Sequence, residues 1–208
     1  MKKIFFLIIL VLSFQTLSLA DNIRYFPIEG MKIGDSALDY FSESQLEDNE
    51  QGWHNYNYTE YSTSYMPSKG IYNWFLVSYK NDDNNFIIEG LVAGLEKNNY
   101  DHKECNNKLD VVALNISELF KNTAQEEKKS YELAADSARA FPFIGKSSAT
   151  SLSFNFLDGA KIILACYNMD KEAKKNESFL KSVLNQNDSF RIDVRSSTFV
   201  NYLKKLNL

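Results

Sequence analysis

The 208-residue chain has two cysteines, two histidines, three prolines, eight glycines and four arginines, and each scarcity excludes something. So few prolines and glycines rule out collagen-like, Pro-rich and Gly-rich low-complexity classes. Two histidines are too few for a His-built metal centre, and they restrict any Ser–His–Asp triad to His54 or His102. No serine stands in a Gly-x-Ser-x-Gly elbow. No apolar run approaches the ~20 residues that span a bilayer. Hydrophobic residues at 44% and charged ones at 24% are ordinary for folded chains, which argues against wholesale disorder.

The N-terminus carries the most specific pattern present. Lys2 and Lys3 precede the apolar run Ile4 to Leu12, and Ser18-Leu19-Ala20 sets small residues before a cleavage point. This predicts a signal peptide over 1–20 and one globular domain over 21–208, periplasmic or secreted, with no transmembrane anchor after cleavage. Asp21, not Cys, follows the cut, so lipid attachment is not expected. Losing Lys2 and Lys3 moves the net charge from −4 to −6. The remaining basic residues are scattered among acids, and nucleic acid is excluded as a partner on that ground. Twenty-one Asn and 19 Lys against four Arg look like the bias of an AT-rich genome. That bias explains the Asn-x-Ser/Thr matches at Asn57, Asn115, Asn176 and Asn187 without a selected role.

Export places Cys105 and Cys166 in an oxidising compartment, and a disulfide between them is the expected reading. A bridge would close a long span of chain and add roughly 4 kcal/mol on the chain-entropy argument. Alternatively, both are separate buried thiols that behave as small hydrophobes.

Hydrophobic periodicity sets the elements. Asp35 or Ser36 is positioned to cap a short helix, and Ser42 with Gln45 has the spacing of a capping box, so the helix is expected to restart there. Ile71 to Lys80 is apolar on both faces and reads as a central strand, followed by a loop over Asn81 to Asn85 and a return strand over Phe86 to Leu95. Tyr100 to Lys121 is helical, with Cys105, Leu109, Val112, Ile116, Leu119 and Phe120 in one stripe. Glu126 to Lys129 reads as a solvated charge run, and Tyr131 to Arg139 as helix or strand. Leu152, Phe154 and Phe156 alternate with polar residues, Asp158-Gly159 reads as a two-residue hairpin turn, and Ala160 to Tyr167 returns. Lys171 to Glu177 is a charged connector and Phe179 to Leu184 helix-like. Phe190 to Arg195 is a half-exposed strand, and Ser196 or Ser197 caps a final helix. The sum is an α+β fold: an antiparallel, hairpin-built sheet packed by helices. A helix–strand–hairpin order occurs twice, with a terminal strand and helix.

Three apparent motifs are better explained structurally. Ala140 to Ser147 loosely matches a nucleotide loop, but Pro142 removes a needed N–H donor and a strand, not a helix, follows. Asp101 to Cys105 gathers ligand-type residues, yet a bridge would consume the Cys105 sulfur. Asp82 and Asp83 are accounted for by turn formation. No cofactor or metal is expected. The run Trp53, Tyr56, Tyr58, Tyr61 and Tyr65, continued by Tyr72 and Trp74, is the one feature suited to a ligand surface. The favoured function is therefore a non-catalytic exported domain that binds a protein or envelope partner. The alternative is a carboxylate-based hydrolase of an envelope or exogenous polymer, whose two acids need only meet in space.

The stretch GMKIGDSALDYFSESQL, with Ala165-Cys166-Tyr167 later in the chain, resembles small exported proteins of marine alphaproteobacteria. That resemblance implies no activity and no catalytic residues. The Gly-Met-x-x-Gly lead into a helix also looks like the opening of small envelope domains of the outer-membrane-assembly lipoprotein type.

Overall fold

Ser36 and Ser42 each open a helical turn by satisfying backbone donors that would otherwise lack partners. The computed structural model of the chain describes residues 22–50, 60–68, 70–96, 102–121, 124–133, 147–168 and 189–206. The Ser36 hydroxyl accepts the Leu38 N–H and starts one 3₁₀ turn over Ala37–Asp39. Ser42 accepts the Gln45 N–H while the Gln45 side chain accepts that of Ser42, a complete capping box that starts helix α1 (Glu43–Asp48). The helix thus breaks and restarts where the two serines predict.

Strands β1 (Tyr61–Pro67), β2 (Trp74–Lys80) and β3 (Gly90–Glu96) come next, followed by helix α2 (His102–Leu119). Then come β4 (Ala124–Leu133), β5 (Ser147–Phe156), β6 (Lys161–Asn168) and β7 (Ser189–Arg195), and helix α3 (Ser197–Lys205) is the last described element. All seven strands form one sheet in the order β1-β2-β3-β7-β6-β5-β4, with every neighbouring pair antiparallel. Each half is a helix followed by a three-strand meander, and β7 joins the inner strands of the two meanders. The α+β architecture read from periodicity is the one observed.

One face of the sheet holds the core. Phe75, Ala93, Ile192, Leu164 and Leu152 stand in register across β2, β3, β7, β6 and β5, all buried. Helix α2 covers them with Cys105, Leu109, Ala113 and Ile116, Phe120 follows directly after its last turn, and the N-terminal segment adds Ile23, Ile28, Met31 and Ile33. Cys105 and Cys166 form a disulfide with a Cα–Cα separation of 5.9 Å, tying the first turn of α2 to β6.

Several sequence expectations are corrected. Phe86 is not in a strand: its φ is +49°, Ile87 bridges to Ser36, and the ladder of β3 begins at Gly90. Strand β2 begins at Trp74, leaving Ile71 74% exposed on the loop. In the α2 stripe Leu119 points to solvent and Ala113 is buried, because the buried positions step by four and three through Cys105, Leu109, Ala113, Ile116 and Phe120, a line that Leu119 misses by one residue. The charge run Glu126 to Lys129 lies in a strand, β4, at the end of the strand order; Glu127, Lys128 and Lys129 are exposed, as the solvated reading expects, and discourage edge pairing. Tyr131 to Leu133 completes that strand. The β5–β6 loop has three residues, not two. Gly159 (φ +92°) donates its N–H to the Phe156 carbonyl and Phe156 donates to that of Ala160, each at 3.0 Å. That is a turn closed by a left-handed glycine bulge. The predicted signal segment 1–20, residues 134–146 with Pro142, and the stretches Lys171 to Glu177 and Phe179 to Leu184 lie outside the described residues.

Candidate functional site

Moving one residue along each strand changes the chemistry of the sheet. On the face away from α2, one row runs Trp74, Gly94, Arg191, Ala165, Ser151 and Lys129 across six strands. Gly94 is there for space. A Cβ at that position would come within 2.1 Å of the Trp74 ring, so the indole lies across β3 because β3 has no side chain beneath it. The indole thereby reaches Arg191, whose guanidinium carbon sits 5.4 Å from the Trp74 centroid and 4.4 Å from that of Tyr167. Tyr65 stacks on the other side of Trp74, centroids 6.0 Å apart at 29°. The result is a ladder Tyr65–Trp74–Arg191–Tyr167 spanning β1, β2, β7 and β6. Both contacts of Arg191 fall inside the ~6 Å range of cation–π attraction. Arg191 Nε also donates to Ser189 Oγ at 3.1 Å, which fixes the guanidinium orientation. Trp74 is buried, while Tyr65, Tyr167 and Arg191 are half-buried, so the ladder offers aromatic edges and a cation to its surroundings.

Beside the ladder lies a polar row. Arg195 Nε donates to both carboxylate oxygens of Asp193 at 2.9 Å, and a terminal guanidinium nitrogen completes the pair. The Ser196 hydroxyl donates to Glu89, and the Thr63 and Ser78 hydroxyls are 2.8 Å apart. Helix α3, capped by Ser196, closes this end of the face. Its Phe199 occupies the space above Gly90, where a Cβ would meet the ring at 2.7 Å. Tyr61 packs under it, 5.0 Å from Phe199 and 4.8 Å from Tyr202. Burial, reinforced by Glu89 and Glu60, pushes the Tyr61 hydroxyl up to about 12.

The aromatic set read from the sequence therefore divides. Trp53, Tyr56 and Tyr58 lie outside the described residues; Tyr61 is 3% exposed beneath α3 and packs the interior; Tyr65 belongs to the ladder. Tyr72 turns to the core side against Phe75, 6.1 Å away. Arg191 and Tyr167 were missed, because alternation marks a residue as facing outward without saying what stands across the strands from it. The available signal was Gly94, a glycine inside an apolar strand, which marks a close approach by a neighbour.

The remaining candidates have structural explanations. The Asp83 carboxylate accepts the N–H groups of Asn85 (3.0 Å) and Ile87 (3.1 Å), which builds the turn. Cys105 is spent in the disulfide, and among the described residues no group of three or more His, Cys, Asp or Glu is placed to hold a metal. Residues Ala140 to Lys146 of the loose nucleotide loop lie outside the described residues, and Ser147 opens β5, so the loop leads into a strand. Glu29, a left-handed turn residue at φ +48°, accepts N–H bonds from Ile71 (2.6 Å) and Tyr72 (3.0 Å) and the Ser68 hydroxyl at 2.9 Å. It pins the N-terminal segment to the β1–β2 loop. Among the described residues no helix is long and apolar enough to cross a membrane. Comparison with protein-family models, curated proteins and solved structures returns no match.

Proposed function

We propose that this chain is an exported, disulfide-stabilised domain that binds a protein or envelope polymer through the sheet face carrying Tyr65, Trp74, Arg191 and Tyr167. The observation that carries this reading is the ladder itself. Tyr, Trp and Arg are the residue types that dominate binding energy at protein interfaces, because each joins a large apolar area to a polar handle. Here Gly94 and Ser189 hold them in fixed orientation, which lowers the entropic cost of engaging a partner. Export is supported by the leader pattern over 1–20 and by the buried bridge between Cys105 and Cys166, since structural disulfides persist in oxidising compartments.

The test has two arms. Sequencing the N-terminus of the native protein should return Asp21; a native chain beginning at Met1 rejects export. Capture from envelope extract should recover a partner with the wild-type domain and at least ~10-fold less with the double variant Tyr65→Ser/Tyr167→Ser, both being half-buried positions. Equal recovery with an unchanged melting temperature rejects the ladder as the binding surface.

A further inference from the structure

The side of α2 turned away from the sheet carries a pattern that packing against the sheet does not explain. Core contacts come from Cys105, Leu109, Ala113 and Ile116. At about 100° per residue, Glu104, Asn107, Val111, Leu114 and Glu118 line the opposite side, and all are exposed. They step by three and four in strict alternation, and exposed Lys121, just past the last turn, continues the step. That is the spacing of a seam between two paired helices, whose a and d positions face the partner. The apolar members sit at its centre: Val111 is 62% and Leu114 61% exposed. A solvent-facing helix tolerates scattered apolar residues, but it gains nothing in water from leaving two such neighbours uncovered. The seam begins with an acid, Glu104, and ends with a base, Lys121.

We propose that α2 pairs antiparallel with α2 of a second copy of this chain, giving a two-fold dimer centred on Val111 and Leu114. A two-fold axis through the middle of the seam makes it complementary to itself at every layer. Val111 meets the partner's Leu114, the Asn107 amide donates to the partner's Glu118, and Glu104 meets the partner's Lys121, each contact occurring twice. A parallel pair would instead set Glu104, Glu118 and Lys121 each against its own copy, which opposes like charges at every charged layer. The charges thus select both the occupant and its direction. One 18-residue helix from each copy makes a small interface, so the association belongs to the weak, transient class. Because α2 covers the face of the sheet away from the ladder, the dimer keeps both ladders on its outer sides. The proposal goes beyond the binding reading and does not rest on it.

The full-length chain is expressed, purified with its disulfide formed, and followed by sedimentation velocity up to about 300 µM, where a dimer with a dissociation constant on the order of 10 µM is expected. Leu114→Lys places a good helix former at an exposed position, so the melting temperature should hold. The dimer should weaken about 100-fold, because two copies of the leucine leave the interface. Charge exchange tests the direction. Glu104→Lys and Lys121→Glu should each weaken the dimer about 5-fold, and the double variant Glu104→Lys/Lys121→Glu should return it to wild-type strength. Mixing the two single variants should likewise give a heterodimer as tight as the wild type. Tyr65→Ser/Tyr167→Ser should dimerise normally, which separates failure of the ladder from failure of the helix seam. A wild type that stays monomeric at the highest concentration overturns the proposal. So does a dimer indifferent to Leu114→Lys, or single charge variants that the exchange does not rescue.

Discussion

The two faces of this sheet are built from the same strands, offset by one residue, and they do different work. On the α2 side, Phe75, Ala93, Ile192, Leu164 and Leu152 form a row with no polar atom among its side chains. On the other, Trp74, Gly94, Arg191, Ala165, Ser151 and Lys129 mix an aromatic ring, two cations and a hydroxyl with small residues. Each apolar side chain fully buried in the first row is worth about 1.5–3 kcal/mol. The second row contributes less per residue and presents more varied chemistry. The α2 face thereby carries the larger core, while the other combines a smaller cluster of Tyr61, Phe199, Tyr202 and Leu203 with side chains able to carry a site.

The largest expected effect lies on the covered face. The disulfide restricts a loop of sequence separation 61, so Cys105→Ser/Cys166→Ser should cost roughly 4 kcal/mol in chemical denaturation. A cost below ~1 kcal/mol would mean that α2 docks by packing alone. Adjacent residues on β6 then compare the faces directly. Leu164 is fully buried, and Leu164→Ala should cost about 3 kcal/mol through lost burial and the cavity left behind. Its neighbour Ile163 is half-buried on the ladder face, and Ile163→Ala should cost about 1 kcal/mol. Equal costs measured by the same denaturation would show that both faces are packed as core, and the division of labour would fail.

What could be read from the sequence follows the same division. Period-two alternation at Leu152, Phe154 and Phe156, and at Phe190, Ile192 and Val194, identifies covered-face residues, because burial is a one-residue property. Capping at Ser36, Ser42 and Ser196 is equally local and was legible. The misplaced start of β3 arises from a non-local cause that periodicity cannot see: Ile87 pairs with Ser36, from the segment before β1. Likewise β4 hides behind its charges, since an edge strand needs few apolar residues to hold its place. The ladder depends on register between strands distant in sequence, so Tyr65 could be nominated from composition while Arg191 and Tyr167 could not. The sequence marks Gly94 as an anomaly, and only the cross-strand register shows that it seats Trp74.

The smallest predicted effect is the most specific to the ladder. If Arg191 is held by ring faces, its energy belongs to the pair with Tyr167 and not to either residue alone. A double-mutant cycle with Arg191→Met and Tyr167→Leu separates these cases. Methionine keeps the length of the side chain and leucine keeps apolar area, so each change removes mainly the cation or the π face. A centroid distance of 4.4 Å on a half-buried surface predicts a coupling of about 1 kcal/mol, between the exposed and desolvated limits for cation–π pairs. Because the contact is short-ranged and half-buried, this coupling should persist at high ionic strength, where an exposed ion pair such as Lys128–Asp110 is screened. Coupling near zero would reduce the ladder to ordinary outward-facing residues that happen to stand side by side, and with it would go the physical reason for placing the binding surface on this face.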